Sequence, residues 1–191
     1  MPASDVNEIR QYLDKGGCPV CARLKKCQSD LLAGDALADA RGICNFHAWA
    51  LAKSAPAVSA AGVFLSALRE TARSENACSF CGRLSEMESQ SIAALKQLLT
   101  QSKDKEWMNL YGRLCLAHAL ELEKLVGDQE KKAIREIVQR IREELDRELA
   151  SLLRNSSAAD SSGGGVLGRA AEFLASQRGL GNLDGVAGRR K

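Results

Sequence analysis

The chain carries two short motif pairs in the same order: Cys18-Pro-Val-Cys21 followed by Cys44-Asn-Phe-His47, then Cys78-Ser-Phe-Cys81 followed by Cys115-Leu-Ala-His118. No other feature restricts the fold as much, because side chains that must converge in fours fix where four segments can run. The two histidines are the only ones in 191 residues, and each stands three residues after one of the seven cysteines. At random each has a chance of about 7/191, so both together come to roughly one in a thousand.

The spacing has a chemical reason. Residues i and i+3 on a helical turn hold their Cβ atoms about 5–6 Å apart, near enough for both side chains to reach one ion. Zn–S bonds of about 2.3 Å and Zn–N bonds of about 2.0 Å close a tetrahedron when a C-x-x-C pair faces a C-x-x-H pair. Helix N-termini also favour thiolates, because their unpaired N–H groups carry the positive end of the helix dipole. The expected metal ligands are therefore Cys18, Cys21, Cys44, His47, Cys78, Cys81, Cys115 and His118, in two Cys3His sets. Buried apolar cysteines and hydrogen-bonded core histidines would need no such spacing. A full set of four protein ligands leaves no open position, the mark of structural rather than catalytic zinc.

The gap between pairs runs over residues 22–43 in the first block and 82–114 in the second, 22 and 33 residues. The difference is about three helical turns, so a longer helical hairpin would present its ligands the same way. The pattern reads as an internal duplication, with repeats over about 18–75 and 78–154. Closure within each block is the simplest arrangement. Cys18 and Cys21 meeting Cys115 and His118 across the duplication is the alternative, and spacing does not choose between them. Cys27 has no matching partner and reads as a small buried hydrophobe, with a reactive thiol beside Arg23, Lys25 and Lys26 as the lesser reading.

The motifs sit in a helical chain. Aromatic residues are 4% and prolines three, β-branched runs are few, and apolar positions recur near every 3.6 residues. An all-α bundle with two metal-binding pseudo-repeats is the expected fold. Helices are expected from Ser4 to Lys15, stopped by Gly16 and Gly17; from Cys18 to Ala33, with Pro19 at a first helical position and a stop near Gly34; and from Cys44, after Gly42, through Trp49 to Lys53. Others follow Pro56, carrying Val63, Phe64 and Leu68, and begin at Cys78 and Cys115. From Lys131 to Arg154 the stripe Ile134, Ile137, Val138, Ile141, Leu145, Leu149 and Leu152 faces one way, with Glu136–Arg140 and Glu143–Arg147 at i,i+4 on the other. The expected domain is 1–154. Residues 155–165, rich in Ser and Gly, read as a flexible linker, and 166–191 as a short helix on Leu167, Ala170, Ala171 and Leu174 with a mobile tail. That segment is either a docking peptide for a protein partner or a helix folded back on its own domain.

Charge and composition narrow the functions. The net charge is +3, from 27 basic and 24 acidic side chains, too balanced for a protein that grips a phosphate backbone, and aromatics for stacking on bases are scarce. Arg189, Arg190 and Lys191 read as a solubilising terminus. No apolar run approaches the roughly 18 residues of a membrane span, and the first ten residues lack a signal-peptide pattern. A cytoplasmic location is the expectation, and in a reducing compartment regularly spaced cysteines are metal ligands or catalytic thiols more often than disulfides.

The order C-P-x-C, G-x-C-x-x-H-x-W, C-x-x-C and L-C-x-x-H-A resembles a bacterial family of helical proteins with paired C-x-x-C and C-x-x-H motifs, a domain of unknown function. The resemblance rests on Cys18, Cys21, Gly42, Cys44, His47, Trp49, Cys78, Cys81, Leu114, Cys115, His118 and Ala119, with a weaker echo at Gly168-Arg-Ala-Ala-Glu-Phe-Leu. It implies a helical metal-binding domain and brings no activity with it.

The expected function is a non-enzymatic scaffold or interaction module held by two Zn2+ per chain. An iron–sulfur redox or sensor protein on the same ligands is the alternative, although the compact C-x2-C-x2-C run of bacterial ferredoxins is absent. A zinc protein that binds nucleic acid is the second alternative. Thioredoxin-like chemistry needs a βαβ context the sequence lacks, and covalent haem attachment needs a histidine where Ala22 and Gly82 stand. Cysteine-protease chemistry from Cys44 with His47, or Cys115 with His118, would leave a duplicated nucleophile without a use.

Overall fold

A computed structural model describes residues 3–14, 17–33, 43–69, 78–101, 110, 113–154 and 159–175. Among them are eight helices and no strand: α1 (Ala3–Leu13), α2 (Pro19–Ala33), α3 (Asn45–Ser54), α4 (Ala57–Arg69), α5 (Ser79–Gln101), α6 (Leu116–Glu123), α7 (Asp128–Arg154) and α8 (Ala159–Ala175). The all-α expectation holds. The expected stops at Gly16 and Gly34, Gly42 and the terminal Arg189, Arg190 and Lys191 lie outside the described residues, as does the side chain of Leu68.

The chain divides into two compact units: unit 1, of residues 1–22 and 90–177, and unit 2, of residues 23–89 and 178–191. The boundary falls inside α2 and inside α5. The units therefore do not follow the expected repeats over 18–75 and 78–154, because unit 1 takes the start of the first repeat together with most of the second.

Unit 1 is built on heptad-like apolar spacing. Val6, Ile9, Tyr12 and Leu13 line one face of α1 and are buried. On α7 the stripe Ile134, Ile137, Ile141 and Leu145 is buried, with Asp128 and Glu130 in the first turn and Arg154 in the last, as the helix dipole favours. Helices α6, α7 and α8 pack on one another. The Glu143–Arg147 ion pair expected on α7 is replaced: the Glu143 carboxylate accepts from Gln139 Nε2 at 2.8 Å, and Arg147 Nε donates to the Glu143 backbone carbonyl at 3.2 Å.

The C-terminal helix starts earlier than its sequence predicts. It begins at Ala159, so residues 159–165 of the expected linker are helical, and it ends at Ala175. Ala170 and Phe173 are buried in unit 1, and Arg169 donates to Glu148 of α7. Of the two readings for this segment, folding back is the one found, but not on the expected face: Leu167, Ala171 and Leu174 are exposed, and burial of Ala170 and Phe173 offsets the poor helix propensity of Ser and Gly.

Unit 2 has a smaller core: Leu31 and Leu32 from the end of α2, Leu51 of α3, Val63 of α4, and Cys78 and Phe80 at the start of α5. Cys27, Ile43, Cys44, Phe64 and Leu84 pack against it, half-buried. Cys27 packs against this core as expected but is half-buried rather than buried. Pro56 stands just before α4, and its carbonyl accepts from Ala60 N at 3.0 Å, opening that helix.

Candidate metal centres

Every ligand pair expected from the sequence opens a helix. Cys18 and Cys78 immediately precede α2 and α5, and Cys44 and Cys115 cap α3 and α6. In each pair the leading cysteine's carbonyl accepts the first helical hydrogen bond: Ala22 N to Cys18, Ala48 N to Cys44, Gly82 N to Cys78 and Ala119 N to Cys115, at 2.9–3.0 Å. The caps also match in backbone, with φ −73° at both Cys44 and Cys115 and ψ 159° and 155°. The second ligand follows one turn in, on the same face. Pro19, at the first position of α2, surrenders an N–H that no helix could use. Gly17, with φ +75°, turns the chain into Cys18 through a conformation that side chains disfavour.

The pairs converge in two groups of four, each with all ligand atoms within 4.8 Å of one another: Cys18, Cys21, Cys115 and His118, and Cys44, His47, Cys78 and Cys81. The first group lies in unit 1 and the second in unit 2. All eight expected residues are brought together, and of the two closures that spacing leaves open the one across repeats is found: each C-x-x-C meets the C-x-x-H of the other repeat. The reason lies in where α2 hands the chain on. Cys44 packs against the core to which Leu31 and Leu32 of that helix's last turn contribute, whereas Cys18 stands before its first.

The two groups have nearly the same dimensions. In unit 1 the His118 Nδ1 lies 3.0 Å from Cys115 Sγ and 3.4 Å from Cys18 and Cys21, and Cys21 and Cys115 sulfurs are 3.7 Å apart. In unit 2 the His47 Nδ1 lies 3.2 Å from Cys44 Sγ and 3.4 Å from Cys78 and Cys81, and Cys44 and Cys81 sulfurs are 3.7 Å apart. A tetrahedron with metal–sulfur bonds of about 2.3 Å has an S···S edge of about 3.8 Å. Nδ1 is the ligand nitrogen in both, which leaves Nε2 for a second contact.

The surroundings differ. In unit 1 all four ligands are buried. Burial opposes ionisation of Cys18, but hydrogen bonds from Cys115, Cys21 and His118, and the imidazole's charge, hold it well below the usual thiol range. Cys21 is raised in turn by its hydrogen bonds to Cys115 and Cys18, by burial and by their charges. Burial works against the His118 charge, yet Cys115 and Cys18 raise it to about 10. The three sulfurs border a cavity of about 130 Å3 whose wall includes Arg113, Leu114, Ile141 and Phe173.

In unit 2, Cys81 is exposed and Cys44 half-buried, while Cys78 and His47 are buried. Burial opposes ionisation of Cys78, but the Cys44 and Cys81 backbone N–H groups and their thiols lower it. Cys81 is raised to about 12 by burial and by its bonds to Cys44 and Cys78. Burial lowers His47. Two aromatic rings frame that imidazole: Phe80 stacks on it at 5.4 Å, and Phe46 meets it edge-on at 5.1 Å. Sequence reasoning missed both, although each occupies an x position of a motif. The equivalent of Phe80 in the first C-x-x-C is Val20, and both are buried.

Each group can hold one metal ion, with four protein ligands and two helix N-termini directed at the sulfurs. Comparison of the chain with protein-family models, with curated proteins and with solved structures finds no match.

Proposed function

We propose that the protein is a non-enzymatic helical scaffold in which two Zn2+ ions, one per unit, are held by Cys18, Cys21, Cys115 and His118 and by Cys44, His47, Cys78 and Cys81. The observation that carries this reading is the shape of the groups: two Cys3His quartets whose edges fit a tetrahedron around a single ion. A cluster of several irons puts its ligands on different metal atoms with sulfides between, and so needs them farther apart than one ion does. Four protein ligands close the coordination sphere, which supports a structural role and leaves no place for substrate at the metal.

The matched caps at Cys44 and Cys115 support descent from a duplicated helical hairpin with one C-x-x-C and one C-x-x-H. Six ligand thiolates add −6 and two Zn2+ add +4, so the formal +3 becomes about +1. That near-neutral balance favours a protein partner over nucleic acid. Unit 2 displays Phe46, Trp49, Val58 and Leu65, exposed on α3 and α4, which suits an interaction module.

Metal analysis on anaerobically isolated protein tests the reading. Two zinc ions per chain and no visible colour are expected. Brown protein, or iron in place of zinc, overturns it. A strong chelator is expected to abolish much of the helical circular dichroism, because structural zinc contributes about 10–16 kcal/mol where whole domains are stable by about 5–15. Unchanged helicity after complete metal removal would refute the scaffold role.

A further inference from the structure

We propose that Cys44 and Cys81 are an oxidant-sensitive pair: a peroxide converts them to a disulfide and releases the ion of unit 2, while unit 1 keeps its own. The inference rests on reading the quartets as metal sites, and it assigns them opposite behaviour.

Three independent observations separate the sites. The first is access. Cys81 is exposed and Cys44 half-buried, with their sulfurs 3.7 Å apart. The equivalent pair in unit 1, Cys21 and Cys115, is equally close but only 3% and 4% exposed. Although sulfurs of unit 1 border a cavity, its wall of Leu114, Ile141, Phe173 and Arg169, the last paired with Glu148, leaves Cys21 and Cys115 this little surface.

The second observation is the support behind each imidazole. A ligating histidine ordinarily donates its other ring N–H to an acceptor, which fixes the ring and strengthens the bond to the metal. His47 Nε2 is buried and has no hydrogen-bond partner. His118 makes a further interaction of its own. Losing such support typically weakens metal binding by about 10–100-fold.

The third is the neighbouring core. The ligands of unit 2 are packed by a small cluster in which Cys78 and Phe80 are themselves members, so the site and the core give way together. Unit 1 has a larger buried core, with Leu13, Leu98, Leu122, Ile134 and Ile137 each at most 1% exposed, and Ile141, Leu145 and Phe173 line the cavity beside its sulfurs.

Held as a thiolate by the ion, Cys81 attacks one peroxide oxygen; an S–O bond forms, the O–O bond breaks, and hydroxide leaves. The Cys44 thiolate then attacks the Cys81 sulfur; the S–S bond forms and the S–O bond breaks, releasing a second hydroxide. Two protons turn the hydroxides into water. Each sulfur has given one electron to the peroxide, and the ion has lost two of four ligands. Accessible thiolates beside a resolving cysteine are the ones that oxidise this way.

The test uses the full metal-loaded chain. Hydrogen peroxide is added with a colorimetric metal indicator present, and the products are mapped by differential alkylation and mass spectrometry. One ion per chain is expected to appear at least about tenfold faster than the second. The first phase is expected to yield a Cys44–Cys81 disulfide with Cys18, Cys21 and Cys115 still reduced and protected, and a thiol reductant with added metal is expected to restore two ions. Parallel release of both ions, earlier release from unit 1, or a first disulfide through Cys27 or Cys21 overturns the inference while leaving the metal reading intact. Protein that holds no ion before oxidation overturns the metal reading itself. Because Cys81→Ser removes a ligand outright, a second measurement uses the unaltered chain: limiting chelator is expected to take the unit 2 ion first, read from which cysteines then alkylate.

Discussion

Because the four ligand pairs are nested along the chain, paired substitutions should give a pattern that no other arrangement produces. Serine lacks the thiolate that the ion needs, so Cys21→Ser should lower the metal content from two ions per chain to one. Cys115→Ser should do the same, since both sulfurs belong to the quartet of unit 1 and lie 3.7 Å apart. The double variant Cys21→Ser/Cys115→Ser should still bind one ion, because the second change strikes a site already lost. By contrast, Cys21→Ser/Cys44→Ser should bind none, since Cys44 belongs to the other quartet. In stability the first pair should be strongly non-additive. Two changes that each forfeit a site worth about 10–16 kcal/mol of apparent binding energy cannot forfeit it twice, whereas a variant that has lost both quartets should be unfolded without denaturant. The assay is elemental analysis of purified variants, with denaturant unfolding of each. If Cys21→Ser/Cys44→Ser keeps one ion and Cys21→Ser/Cys115→Ser keeps none, the ligands close within repeats and the arrangement described above is wrong.

Other changes probe the supports of the sites. Phe80→Ala removes a ring that is 3% exposed and stacked on His47, and should cost about 3–5 kcal/mol with faster loss of one ion; an unchanged unfolding midpoint would refute its role in unit 2. Gly17→Ala meets no atom within 4 Å, so its cost should be the backbone penalty alone, about 1–2 kcal/mol, seen as a lower midpoint for unit 1; a neutral result would mean that the positive φ is not required. Gly165→Ala, in open space on α8, should stabilise unit 1 by about 0.5–1 kcal/mol in thermal unfolding, and destabilisation would argue against helix at that position.

What was legible in the sequence was what depends on local spacing. The i,i+3 rule places Cys18 with Cys21 and Cys115 with His118 without any knowledge of the fold, and Pro19 and Pro56 mark helix starts through their own covalent geometry. Pairing between segments was not legible, because it depends on the side of the core to which the chain returns after α2, and both closures satisfy the same local rules. The start of α8 at Ala159 was missed for a related reason. Ser and Gly disfavour helix residue by residue, and only the burial of Ala170 and Phe173 within unit 1 explains a helix continuing through them. The rings around His47 were within reach of the motifs, where an aromatic residue stands directly before each of the unit 2 ligands Cys81 and His47.

The nested order of the ligand pairs also gives the molecule a schedule. During synthesis the quartet of unit 2 is complete once Cys81 has emerged, while that of unit 1 must wait for His118. The inner closure spans 31 residues from His47 to Cys78, and the outer spans 94 from Cys21 to Cys115. By loop length alone the outer costs about 1 kcal/mol more. An ion bound inside would shorten the chain that the outer site must close, so that a first ion would prepay part of the entropy of a second. A chain ending between Cys81 and Cys115 would therefore carry one complete quartet, with Cys18 and Cys21 still without their partners.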